Sequence, residues 1–433
     1  MVQRSRADAS EREYRAVIHA WAMYDWANSA FAVVMLTAVF PVYYRTLVTN
    51  AGHSAEHATA YWAYTTSVSL LIIAVLGPLL GAMADITGKK CFLAVSLIAG
   101  VLGCAALALV GNDSFVLGSL LFAVANLGFA AGNIFYEALL PHIARPQDLD
   151  RVSARGYALG YLGGGLLLIV TTASLFAPEW FLLPDRPTAV RASFVGVALW
   201  WAVFAWPLFR RISEPTARVR MSLTSVSAGL HQLLSTLRQI RRYRELALFL
   251  LAFWIYNDGV GTIIKIATAY GDEIGIGHND MLIALILTQF VAFPSTLGFA
   301  ALARSSGPKR ATLLGLGVYI LISTGGFFMR SAVHFYVLAV AVGLVQGGTQ
   351  ALSRSIFARL VPKARSSEFF GFFSTGQKFA GIIGPAIFGL IGQLTGSSRW
   401  GILSVILLFV TGAGLLWRVD LQAGERAALT AQA

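Results

Sequence analysis

The chain has 433 residues, of which 57% are apolar and only 12% charged, with a formal net charge of +12. Soluble domains carry roughly 25% charged residues, and a globule with so few could not cover its surface. The apolar residues also fall in blocks mostly of about 18 or more, the length that crosses a bilayer, so a soluble enzyme, a nucleic-acid binder and a secreted scaffold are excluded.

Twelve membrane helices are predicted, over 19–43, 61–84, 91–110, 114–140, 157–177, 190–209, 245–268, 280–303, 311–330, 333–356, 369–392 and 400–418. The first begins near Trp21 and shows no small-residue cleavage site, so it reads as a span and not a removable signal. It carries Asp25 and, on the same face, Asn28. The second runs into Gly81, Asp85, Gly88, Lys89 and Lys90. There Gly81 permits close helix packing and Gly88 a turn with positive φ. Cys91 and Cys104 both fall in the third block, about 20 Å apart along one helix and beyond disulfide reach. The fourth carries Asn126, Asn133 and Glu137, the last expected to pair with Arg151 or Arg155. Gly156, Gly160 and Gly164 open the fifth at intervals of four, a small-residue contact face.

The segment 210–244 has eight arginines in 35 residues, with Leu223, Val226, Leu230, Leu233, Leu234, Leu237 and Ile240 at helical spacing. It is expected to be a linker with an amphipathic helix, apolar side toward lipid or protein. It divides the chain into 1–209, 210–244 and 245–433. In the second half, the seventh span holds Asn257, Asp258 and, seven residues on, Lys265. The tenth has a polar line of Gln346, Gln350, Ser353 and Arg354, and the eleventh has Lys378 and a Gly384-Pro385 bend. Ionisable groups inside a span are costly unless paired or facing water, which makes them functional candidates.

Of the 33 Lys and Arg, 26 lie in the terminal segments and the loops after even-numbered spans, 5 in the opposite loops, and Lys265 and Lys378 within spans. The positive-inside rule then puts both termini in the cytoplasm, and accounts for the basic charge without nucleic acid. The halves echo each other. Gly81 to Lys90 recurs at an offset of 219 as Ala300 to Lys309, with Gly88 matching Gly307 and Arg304 standing at the Asp85 position. Two six-helix halves with a weak internal repeat are the mark of a secondary transporter that binds its solute between them.

With these residues in hand, the chain resembles the major facilitator superfamily, whose loop between helices 2 and 3 looks like Gly81…Asp85…Gly88-Lys89-Lys90. Within it, four segments resemble the vacuole-effluxer-like branch, also called the unknown major facilitator family. They are Tyr24-Asp25-Trp26-Ala27-Asn28-Ser29-Ala30-Phe31, Phe135-Tyr136-Glu137-Ala138-Leu139-Leu140-Pro141, Asp258-Gly259-Val260 and Gln346-Gly347-Gly348-Thr349-Gln350-Ala351-Leu352-Ser353-Arg354. The resemblance implies an all-α membrane protein with twelve transmembrane helices in two pseudo-symmetric six-helix bundles. It further implies that Asp85 latches the bundles together in the outward-open state, and that the family's eukaryotic members release amino acids from the vacuole. Arg304 departs from the repeat by carrying the opposite charge.

The expected activity is secondary transport of a small polar or zwitterionic solute, an amino acid being the class implied. A lipid or amphiphile flippase or exporter on the same fold is the alternative, and an apolar lining of the cavity is what would favour it. The expected solute and coupling residues are Asp25, Asn28, Asn133, Glu137, Asp258, Lys265, Gln346 and Gln350, on spans 1, 4, 7 and 10. The expected gating residues are Asp85, Gly88, Arg304 and Arg354. A proton is the simplest coupling ion, with Asp258 favoured as its carrier and sodium the second choice. No cofactor or metal site is expected. His53 and His57 are the only closely spaced histidines, and no acid completes a chelate or a catalytic cluster. A monomer in a bacterial inner membrane, bathed by lipid, is expected.

Overall fold

The computed structural model describes residues 2–214, 223–238, 243–379 and 383–430. Arg218, Arg220, Ile240, Arg241 and Arg242 of the linker lie outside the described residues, as does the side chain of Lys378. Among the described residues the chain is helical, without a strand. Among the described residues ten helices are long and apolar enough to cross a membrane, and a bent pair makes an eleventh. The pair is the first span. It runs as α-helix to Ala30, widens into a π-helix over Phe31–Ala38, and bends by 45° into Phe40–Asn50.

The other spans are Ala55–Thr87, Lys89–Ala106, Phe115–Ala138, Leu149–Phe176 and Arg186–Arg211 in the first half. Arg244–Glu273, His278–Ser306, Pro308–Phe327 and Ala332–Leu360 follow in the second. The predicted eleventh span, 369–392, is covered by two helices, Ser366–Phe379 and Ile383–Thr395, each too short to count alone. The twelfth is Ser398–Ser404 with Ile406–Arg418, a linker helix occupies Leu223–Arg238, and Leu421–Thr430 closes the chain.

Helix ends follow their local chemistry. Ser54 caps span 2 by accepting from the His57 N–H, and Asp185 caps span 6 by accepting from the Thr188 N–H at 2.8 Å. Gly88, at φ 111°, ends span 2, and Gly307, at φ 84°, ends span 8. Such angles suit glycine, which lacks a Cβ. Lys90 Nζ donates to the Phe209 and Ile212 carbonyls at the end of span 6, at 3.0 and 2.6 Å. Lys309, its partner at the offset of 219, does the same for Trp417 and Val419 at the end of span 12, at 2.8 and 2.9 Å. A cation at a helix C-terminus meets orphan carbonyls and the negative end of the macrodipole. The repeat thus extends to side-chain contacts: each lysine ties the third helix of its half to the sixth.

Large apolar side chains such as Leu71, Val75, Leu102, Leu120, Val203, Leu321 and Leu407 point outward and exposed, as lipid-facing residues do. Inside, Trp21, Tyr24, Phe31, Phe40, Phe122 and Trp201 are fully buried. Gly156, Gly160 and Gly164 lay span 5 on span 1, where a Cβ would meet Asp25, Ser29 and Val33. The two ends of the molecule differ. The end carrying the loops after even-numbered spans is here called the basic face.

Candidate functional site

At the basic face the halves are fastened in two places. The first is the seam between spans 2 and 11. Asp85 Oδ1 accepts from the Ser367 N–H at 3.0 Å and Oδ2 from the Glu368 N–H at 2.9 Å. A carboxylate there satisfies two of the four orphan donors of a helix start and meets the positive end of its dipole. Lys89 Nζ sits 3.0 Å from the same carboxylate, and both side chains are nearly fully buried. Gly81 makes the approach possible, since a Cβ there would collide with the Ser367 carbonyl. Gly77 and Gly371 likewise bring the two backbones into contact.

The second fastener is Arg354. From span 10 its guanidinium enters the first half and is 1% exposed. Nη2 lies 3.0 Å from Asp25 Oδ2 and Nη1 3.8 Å from Glu137 Oε1. Nε donates to Ser153 Oγ at 2.9 Å, and Nη2 to the Ser153 carbonyl at 2.8 Å. The rings of Tyr157, Trp21 and Tyr136 surround it with centroids at 4.2, 4.8 and 5.7 Å, distances at which a cation interacts with a π-face. Ser153 Oγ donates in turn to the Ala351 carbonyl at 2.7 Å. One helical turn further, Arg359 holds Asp150 of span 5 at 2.9 Å, and Ser355 Oγ donates to the same carboxylate at 2.6 Å.

These positions correct two expectations. Glu137 faces Arg354, not Arg151 or Arg155, because span 4 turns it inward; Arg155 instead contacts His19 Nδ1 at 3.1 Å. Arg304 does not mirror Asp85: it is exposed and forms no ion pair among the described residues. A cation is the wrong sign for a helix N-terminus. Several of the polar residues in the spans are bonded within the protein. Asn28 Nδ2 donates to Asn133 Oδ1 at 2.6 Å, and Tyr161 to Gln350 Oε1 at 2.8 Å. Tyr256 and Ser353 share a 2.6 Å hydrogen bond. Asp258 Oδ2 accepts from the Gly384 N–H at 2.9 Å, at the start of the second helix of span 11. Lys265 is exposed on span 7.

Toward the opposite face lies a cavity of about 540 Å³. Thr37, Ala38 and Val42 of span 1 form one wall, just where the π-helix ends and the bend begins. Spans 7 to 12 supply the rest, including Ile263, Ile266, Ala267, Leu285, Ile322, Met329, Phe335, Leu338 and Val342. Its polar members are Thr37, Thr262, Tyr270, Asp272, Thr288, Gln289, Ser323 and Gln346. Of the eight expected binding residues only Gln346 lines it, and among the described residues span 4 contributes none.

Reasoning on the sequence missed Ser153, Tyr157, Trp21 and Tyr136 as surroundings of Arg354. The aromatic residues had no periodic signal of their own, although Trp21 and Tyr136 stand within four residues of Asp25 and Glu137.

Residues 13–429 match the family described as vacuole effluxer Atg22 like. An uncharacterized MFS-type transporter, YxiO of Bacillus subtilis, is 39% identical over 400 residues, covering 92% of this chain and 93% of its own. Autophagy-related protein 22 of Eremothecium gossypii is 23% identical, covering 94% and 91%. Among solved structures, the transporter FucP in its outward conformation superposes with a TM-score of 0.68 at 11% identity, covering 94% of this chain and 98% of that one.

Proposed function

The chain belongs to the vacuole effluxer Atg22-like family of major-facilitator transporters, and on that premise we propose that it moves a small amphipathic solute by alternating access, an amino acid with a large apolar side chain being the class to test first. The basic face is the cytoplasmic one in this reading, and the structure is the state closed on that side. The observation that carries the proposal is the cavity: mostly apolar walls, eight polar members, and a position on the far side of the Asp85 and Arg354 fasteners. An apolar side chain would desolvate against Ile263, Leu285, Phe335 and Val342, while Gln289, Gln346 and Thr262 would meet the polar head. The apolar lining also favours the second reading, export of a lipid-like amphiphile.

Uphill transport in this reading is driven by protons. Arg354 carries one positive charge against the two carboxylates of Asp25 and Glu137. A proton on one of them neutralises the buried trio, and a buried surplus charge is costly. Glu137, at 3.8 Å, holds the weaker ion pair of the two and is the better carrier. This moves the coupling role from Asp258, whose carboxylate is bonded to the span 11 backbone. Proteoliposomes loaded with a panel of labelled amino acids and single-chain amphiphiles, with and without a pH gradient, test the reading. Gradient-stimulated movement of apolar amino acids, lost in Glu137→Gln while counterflow persists, is the expected result. Movement of amphiphiles alone would select the second reading.

A further inference from the structure

The linker helix Leu223–Arg238 has no part in the site described above, yet it lies across the seam that Asp85 closes. On one side Gly229 packs so closely on Met83 of span 2 that a Cβ would come within 2.8 Å of it. On the other, Gln232 Nε2 donates to Glu368 Oε2 at 2.8 Å, and Arg365 Nη1 donates to Thr236 Oγ1 at 2.8 Å. Thr236 and Glu368 are both fully buried. Glu368 is also the residue whose N–H Asp85 accepts, so the linker helix grips the same helix turn that the latch grips. Its far side exposes Leu230 and Leu234, one turn apart, as at a membrane surface.

We infer that the linker helix is a clasp for the closed basic face, with Gln232 and Glu368 as positioning residues that hold the first turn of span 11 against Asp85. The inference rests on the alternating-access reading. Opening the basic face draws span 2 away from span 11, and a helix packed on one and hydrogen-bonded to the other must let go of one. The carboxylate of Glu368 takes its side-chain polar contacts from Thr236 and Gln232, both on the linker helix. Hydrogen bonds to a charged group contribute more than neutral ones, enough for about a tenfold change in an equilibrium.

The test is a reversal of the pair. Spin labels replace the exposed Arg151 and Arg310, one on each half, with Cys91→Ser to remove the exposed native thiol. Distances are then read in proteoliposomes. Gln232→Glu, which sets two carboxylates together, should raise the ratio of the long to the short distance about tenfold. Adding Glu368→Gln restores one donor and one carboxylate in reversed order, and should bring the ratio back within about twofold of the starting protein. Glu368→Gln alone keeps an oxygen for Gln232 to donate to and should shift the ratio less than Gln232→Glu does. Two distances in the starting protein whose ratio ignores Gln232→Glu, or a reversed pair that fails to restore it, overturns the clasp. A single short distance in every variant overturns the clasp and alternating access together.

Discussion

The seams between spans 2 and 11 and between spans 8 and 5 occupy equivalent places in the two halves, yet they are fastened by different chemistry. At the first, Asp85 accepts from two backbone N–H groups at the start of span 11. At the second, the equivalent Arg304 is exposed, and the burden falls on Arg354 and Arg359 of span 10, which reach Asp25, Glu137 and Asp150. A helix N-terminus recruits an anion and repels a cation. Exchanging the sign at one repeat position therefore removes a latch from that loop and requires a fastener elsewhere. The lesson is that pseudo-symmetry of the fold does not carry over to its locks, since charge is set residue by residue while helix packing tolerates change.

If the two seams are unequal in this way, removing the arginine should have the largest effect. Arg354→Gln leaves Asp25 and Glu137 buried without their cation, and breaking a buried pair costs about 3–5 kcal/mol. Thermal unfolding in detergent should fall markedly, and cysteine labelling should find the basic face open. An unchanged melting temperature would show that the second seam is held by other contacts. Asp85 comes next. Asp85→Ala loses a cap worth about 1–2 kcal/mol, so the labelled basic face should open about tenfold more often, with Asp85→Asn intermediate because one amide oxygen can still accept. Equal behaviour of the two variants would assign the latch to packing and not to charge. Arg304→Ala should be the mildest, within about 0.5 kcal/mol as for exposed positions without partners. A larger loss of stability or transport would mean that Arg304 takes up a partner in another state, and that the seams are more alike than this one shows.

The membrane class was legible because long apolar blocks have few other physical uses, and the repeat because Gly88 and Gly307 answer the same backbone demand at the same offset. For Asp85 the residues themselves showed only a carboxylate at a helix end with a lysine one turn on; the latch was what the family resemblance implied. The expected binding set was less legible. Asn28, Asn133 and Gln350 are polar groups in spans, which signals that each needs a partner, but the partners found are Asn133, Asn28 and Tyr161. An amide that serves a neighbouring helix and one that serves a solute read identically in one dimension. The cavity wall, made of Ile, Leu, Val, Phe and Met, could not be told from residues facing lipid or packed in a core.

What the sequence alone determined is therefore what hydrophobicity and local backbone chemistry dictate: apolar helices, the glycine turns that end spans 2 and 8, the division at the arginine-rich linker as an expectation, and the families resembled. What only the tertiary structure decided is which charge meets which. Arg354 lies 329 positions from Asp25 and 217 from Glu137 in the chain. Its choice of them over solvent depends on Gly156 leaving room beside Asp25, on Ser153 offering two acceptors, and on three rings closing the pocket. Burial makes a misplaced charge costly, and burial is a property of the packed helices, which no single segment possesses on its own.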